Sequence, residues 1–244
     1  MALLHEFERH GNWLFKRRGW LPLFIFIPSL AYIYFSGATN MDFRPGLETA
    51  FLGISLFGLF IRIITVGRTP RNTSGRNRSK QIADSLNTKG IYSVVRHPLY
   101  LGNFFMWLGP VLFLRSVWIT IIFGLAYWLY YERIMFAEEQ FLRKKFNESY
   151  DLWSERVRAF IPSFSNYTRS DLPFSLRNVL KREYNGFGTI FIVFALLDLT
   201  RNYTLEEQAE IKIMWLVLLI FGFLTWLILR TLKKHTALLN VPGR

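Results

Sequence analysis

The apolar residues of this chain come in blocks, and the segments between the blocks are basic. That arrangement constrains the fold most, because a helix needs roughly 20 apolar residues in a row to cross a bilayer core. The chain has 244 residues, half of them hydrophobic, with a net charge of +13. In a soluble protein such a balance points to nucleic acid. Here the basic residues flank apolar runs. They point instead to an anionic membrane face, with lipid and bilayer as partners and no nucleic acid. Cysteine is absent, which removes disulfides, thiolate metal sites and thiol nucleophiles.

Met1–Gly19 is charged and reads as no cleavable signal; Phe7, Trp13 and Leu14 suit one face of an interfacial helix. A first span runs from Trp20 to about Ser36, with Pro22 near its start and a kink at Pro28. A second runs from about Leu47 to Val66 and contains Arg62 near its end. Arg62 there either snorkels to the interface or pairs with an anionic substrate. The loop Gly67–Val95 is the most basic, holding Arg68, Arg71, Arg76, Arg78, Lys80 and Lys89 against Asp84.

Arg96, His97 and Pro98 stand where that loop meets the next apolar run. Proline is favoured at the first helical position, where its missing N–H would be unpaired anyway. Pro98 therefore starts a helix with Arg96 and His97 at its mouth. Gly109-Pro110 and Arg115-Ser116 break the run into Leu99–Leu108, reaching toward Leu114, and Val117–Tyr131. These two short helices predict a tight hairpin. Glu132–Glu183 is amphipathic, with Phe136, Phe141, Leu142, Phe146 and Tyr150 at helical spacing. Gly186–Thr200 and Ile213–Leu229 are further spans, joined by a loop holding Arg201, Glu206, Glu207 and Glu210, and the tail from Arg230 is basic. The expected fold is all-α: a polytopic membrane protein of about six transmembrane helices around a central broken hairpin. It forms one domain over 1–244, with an additional C-terminal hairpin at 186–230. The positive-inside rule puts both termini and the basic loops on the cytoplasmic side.

The residues able to do chemistry then gather on that side: Arg96, His97, Glu138 and Glu139. On their own, Arg96 and His97 read first as no more than an interfacial anchor and a helix cap. No phosphate loop, HExxH, CxxC or GxSxG pattern is present. The four histidines lack paired ligand spacing, so no metal is expected.

Gly90-Ile91-Tyr92, Arg96-His97-Pro98-Leu99-Tyr100-Leu101-Gly102 resembles the Arg-His-Pro-x-Tyr-x-Gly signature of integral-membrane methyltransferases. Ala137-Glu138-Glu139, Leu142, Phe146, Tyr150, Trp153, Arg158 and Pro162 resemble the second half of that signature, so the core motifs lie at 90–162. The family includes isoprenylcysteine carboxyl methyltransferases and phospholipid N-methyltransferases. The chain departs from it at Asn147, where glycine often follows the phenylalanine. The resemblance does not cover the last two spans.

The resemblance implies S-adenosylmethionine bound at the cytosolic face by His97, Tyr100, Leu101, Gly102, Asn103, Glu138 and Glu139. Arg96 and His97 are the candidate catalytic residues. Carboxylates suit the cofactor's ammonium and ribose diol, and Arg96 or the helix start behind Pro98 suits its carboxylate. An ionised acceptor needs no general base, so catalysis rests on alignment and on excluding water. Arg62, Arg68 and Arg158 are the candidate contacts to an anionic lipid head group. Gly11-Asn12-Trp13-Leu14-Phe15 before Lys16-Arg17-Arg18, with Thr73-Ser74-Gly75-Arg76-Asn77 in the loop, is similar to bacterial enzymes that methylate the 1-phosphate of lipid A. O-methylation of a lipid phosphate in a bacterial inner membrane is the expected activity. Carboxyl methylation of an isoprenylcysteine or amine methylation of a phospholipid is the alternative, and a lipid-binding scaffold or small transporter is the non-enzymatic one.

Overall fold

The computed structural model describes residues 2–19, 23–37, 41–73, 81–207 and 209–244, with backbone alone at 23–26. Trp20, Pro22, Arg76, Arg78, Lys80 and the Ser74–Asn77 turn lie outside the described residues. Among those described, the chain forms eight α-helices and no strand. They are α1 (Leu3–Arg17), α2 (Leu23–Ser36), α3 (Pro45–Gly67), α4 (Pro98–Phe113), α5 (Val117–Phe146), α6 (Glu148–Arg156), α7 (Leu176–Glu206) and α8 (Ile213–His235).

The all-α expectation is met, and among the described residues α3 and α8 are the helices long and apolar enough to cross a membrane. The helices are unequal in length, and the six-span layout is not established by them. The physical reason lies at the polar borders. Nothing between Tyr131 and Glu132 breaks a helix, so α5 runs 30 residues through apolar and charged sequence alike. Likewise α7 starts at Leu176, capped by the Ser175 hydroxyl, and its 31 residues end at Glu206, beyond Thr200. Arg201 is thus a helical residue, not a loop charge. Pro110 lies inside α4, so the hairpin turns only at Leu114–Ser116, where Arg115 takes φ 50°.

Helices α3 and α4 cross at Gly58 and Gly102. A Cβ on Gly58 would stand 2.4 Å from the Gly102 carbonyl oxygen, so only glycine permits that approach. One apolar core gathers Leu52 and Leu59 of α3, Phe113 of α4, Phe191 and Phe194 of α7 and Trp215 of α8. A second joins Phe15 of α1 to Tyr100 and to Phe123, Tyr127, Tyr131 and Ile134 of α5. The face expected on α1 divides: Phe7 meets Phe136 edge-on, Leu14 packs on the second core, and Trp13 is exposed. Val217, Ile220, Phe221, Leu224 and Ile228 leave much of α8 apolar and exposed.

At the end of the first core lies a buried polar cluster. Arg201 pairs with Glu48 of α3 and with Asp198 one turn earlier on α7. Trp215 Nε1 donates to Glu48 Oε2 at 2.9 Å, and the Lys212 amide donates to Asp198 Oδ2 at 2.7 Å. Charges are tolerated at such a place only when paired and hydrogen-bonded.

Candidate functional site

Gly90 takes φ 64° and ψ −133°, which an L side chain rarely adopts, and turns the chain into the 3₁₀ turn Ile91–Ser93. His97 is the N-cap of α4, and Pro98 occupies the first turn as its missing N–H allows. The loop after α6 returns to this segment. The Arg96 amide donates to the Arg158 carbonyl at 2.9 Å, and the His97 amide to the Ala159 carbonyl at 3.1 Å. The Ser163 amide donates to the Val94 carbonyl at 2.9 Å, and the Gly90 amide to the Thr168 carbonyl at 2.8 Å. The two signature blocks are thereby joined through their backbones.

Side chains lock the same junction. Glu139 Oε1 accepts from His97 Nε2 at 2.8 Å and lies 3.1 Å from Arg96 Nε. An ionised carboxylate only accepts, so Nε2 carries the proton. Glu139 lies on the charged half of α5. Burial pushes its carboxyl up, but the hydrogen bond and charge of His97 and the charge of Arg96 outweigh this and hold it below the usual range. The Tyr100 hydroxyl donates to Glu138 Oε2 at 2.8 Å, and the His97 and Tyr100 rings stack with centroids 5.6 Å apart. Arg96 Nη1 donates to the Ser154 carbonyl at 2.8 Å.

A cavity of about 230 Å³ opens in front of this junction. His97, Tyr100, Asn103 and Glu138 line it, with Arg96 beside them. Phe141, Leu142, Tyr92 and Trp153 give it apolar and aromatic walls. The remaining expected residues stand back from it. Glu139 sits behind His97; Leu101 packs on Ile61 and Val95; Gly102 faces Arg62. Arg62 lines the cavity, half-buried, where it does not snorkel. Its Nε and Nη2 donate to the two oxygens of Glu183 at 2.7 and 3.0 Å, and its Nη1 donates to Asn103 Oδ1 at 2.7 Å. Arg68 is exposed with its guanidinium 5.5 Å from the Phe174 ring, and Arg158 is exposed; neither lines the cavity.

Arg18, of the basic cluster Lys16-Arg17-Arg18, lines the cavity, and sequence reasoning missed Arg182 and Glu183, which line it too. Glu183 had one signal: an acid among bases, three residues before Gly186, at the border of an apolar run. Its partner lies 121 positions away, which no local pattern reveals.

The family described as Phospholipid methyltransferase matches residues 49–149, which takes in most of α3 and all of α4 and α5, with the Arg96–Glu139 junction. The chain is 33% identical over 117 residues to the protein-S-isoprenylcysteine O-methyltransferase of Schizosaccharomyces pombe, covering 47% of this chain and 49% of that one. It is 32% identical over 129 residues to protein-S-isoprenylcysteine O-methyltransferase B of Arabidopsis thaliana, covering 49% and 64%. It is 34% identical over 116 residues to the cobalt-zinc-cadmium resistance protein CzcN of Cupriavidus metallidurans, covering 47% and 51%. The chain thus spans about half the length of two of these relatives and 64% of the other. No solved structure matches.

Proposed function

We propose that this chain is an integral-membrane methyltransferase that uses S-adenosylmethionine and methylates an ionised oxygen on a lipid-borne acceptor. The observation that carries this reading is the cavity in front of the Arg96–His97–Glu139 junction, whose three residues lie in the segment that matches the phospholipid methyltransferases. The exposed apolar face of α8 and the length of α3 support a membrane setting. The basic loops favour the cytoplasmic face of a bacterial inner membrane for the cavity.

The lining fits the cofactor's chemistry. Glu138 suits an ammonium or a ribose diol, Arg96 a carboxylate, and the Tyr92 and Trp153 rings a planar base. The cofactor, when bound, supplies an electrophilic methyl: the acceptor oxygen forms the new C–O bond as the C–S bond breaks, and no proton is released. His97 and Tyr100 hold the wall in place through Glu139 and Glu138. The backbone junction fixes Arg96 and His97 at the mouth of α4, and the aromatic walls exclude water from the transfer.

For the acceptor, the names of the isoprenylcysteine relatives favour a carboxylate over the lipid A phosphate expected from the sequence. Both are ionised oxygens, which suits a cavity lined by four arginines better than a phospholipid amine does. The test is calorimetry with S-adenosylhomocysteine on the full chain in detergent. It is followed by labelled cofactor offered with N-acetyl-S-farnesyl-cysteine, a lipid monophosphate and phosphatidylethanolamine in parallel. The expected result is binding, and label in an acid acceptor. No binding up to millimolar cofactor would refute the enzyme, and label confined to phosphatidylethanolamine would refute the ionised oxygen.

A further inference from the structure

Helices α4 and α5 carry two polar layers. The outer one holds His97, Tyr100, Glu138 and Glu139. The inner one holds Asn103 and Tyr131, joined by a 3.2 Å hydrogen bond from Asn103 Nδ2 to the Tyr131 hydroxyl. Asn103 lies six residues beyond His97, about 9 Å along a helix at 1.5 Å per residue. Arg62 belongs to this inner layer through Asn103, and Glu183 reaches it from α7.

The pair is an expensive way to hold three helices together. Glu183 is 6% exposed, and a buried ion pair is weak evidence for stability because desolvation offsets its attraction. Its geometry has a second consequence. A guanidinium has five N–H donors. Glu183 takes two and Asn103 takes a third, leaving two on a group that is locked in orientation and lines the cavity. Arg182, the neighbour of Glu183, lines the same cavity. Four guanidinium groups line it against two carboxylates, Glu138 and Glu183, and a sulfonium would add further positive charge.

We propose that Arg62, oriented by Glu183 and Asn103, binds the ionised oxygen of the acceptor, and that α7 thereby sets which acceptor is taken. Glu183 is a positioning residue in this scheme. The ligand class is a carboxylate or phosphate on a lipid chain. The inference rests on the methyl-transfer reading for its purpose. It assigns acceptor recognition to a helix that lies outside the matched residues 49–149.

The test measures binding of N-acetyl-S-farnesyl-cysteine and of phosphatidic acid to the full chain in detergent, the first against its neutral methyl ester and the second against its neutral dimethyl ester. The acid that is the true acceptor type should bind about tenfold tighter than its ester, the size of one charge-assisted contact. Arg62→Met should bring acid and ester to about equal affinity. Arg62→Met combined with Glu183→Met removes both charges, leaves no unpaired one, and should lose the preference in a folded protein. Glu183→Gln is decisive, because it keeps the Arg62 charge and loosens its orientation. Positioning predicts that acid binding weakens about fivefold while S-adenosylhomocysteine affinity stays put. If Glu183 were only a counter-ion, acid binding would tighten, which would overturn the proposal. No acid preference in the wild type with either probe, or a preference that survives the double substitution, would overturn it too. The methyl-transfer reading fails separately, by loss of S-adenosylhomocysteine binding in a wild type whose acid preference still depends on Arg62.

Discussion

The side chain of Arg62 lies across the face of Gly102: a Cβ on Gly102 would stand 2.6 Å from the Arg62 Cγ. The glycine of the first signature block is thus the floor over which the arginine of α3 passes on its way to Asn103. Four residues earlier on α3, Gly58 lies against the Gly102 carbonyl, so the helix contact and the arginine's path share one pair of glycines.

That contact predicts a graded response to alanine. At Gly58 the new methyl meets backbone, the Gly102 oxygen at 2.4 Å and the Met106 nitrogen at 2.5 Å, and the helices must part. Gly58→Ala should cost about 3 kcal/mol, the upper end for overpacking, and Gly102→Ala a little less, about 2 kcal/mol, because its methyl meets the Arg62 Cγ at 2.6 Å and the Gly58 carbonyl oxygen at 2.8 Å, slightly longer approaches. Thermal unfolding of both variants in detergent checks the order.

The buried cluster around Arg201 predicts a severe single substitution. Arg201→Leu leaves Asp198 without its guanidinium partner and leaves Glu48 with the longer 3.5 Å contact to Arg115, both carboxylates being at 0% side-chain exposure. Removing one partner of a buried pair costs about 3–5 kcal/mol. Loss of folded protein on size-exclusion chromatography, or a large drop in unfolding midpoint, is expected; a shift within error would contradict the cluster.

Glu139 predicts a pH response with a definite sign. Its carboxyl is held below its ordinary value of 4.5 in the folded protein, so the folded chain binds fewer protons there than the unfolded one. The stability it contributes is present above that value and is lost as pH falls through the depressed one. The unfolding midpoint of the wild type should fall more steeply below pH 4.5 than that of Glu139→Gln. Parallel slopes would remove Glu139 from the junction.

Asn147 stands between α5 and α6 at φ 46° and ψ −124°, a backbone region suited to glycine. Asn147→Gly should stabilise the protein by about 1 kcal/mol, the order of strain stored at such a residue. Differential scanning of the two forms decides it. A loss of stability would mean that the asparagine side chain holds the turn by contacts worth more than the strain.

The sequence was legible where chemistry and local rules coincide. Pro98 opens α4 as its ring demands, and Arg96, His97, Glu138 and Glu139 meet as the paired signature implies. Asn147 breaks the helix at the position where the sequence departs from the signature's glycine. Legibility failed where an apolar border was mistaken for a helix end. The charged halves of α5 and α7 contain no breaker, and helix formation continues through them. Arg201 looked like a loop charge because its partner Glu48 lies 153 positions earlier. Arg68 and Arg158 are basic like Arg62, but the fold turns only Arg62 to the cavity, through contacts with α4 and α7.

The backbone bonds from Arg96 and His97 to Arg158 and Ala159 also set an order of assembly. A chain made from its N-terminus exposes the mouth of α4 long before the segment that fastens it exists. Until Ala159 has emerged, the His97 amide lacks its native acceptor, and until Glu183 has emerged Arg62 lacks its counter-charge. Nascent chains halted before α6 would hold the first block as an unfastened loop beside an unclosed helix pair. The chemistry of the site is therefore an event of late synthesis, with 121 positions of chain separating Arg62 from Glu183.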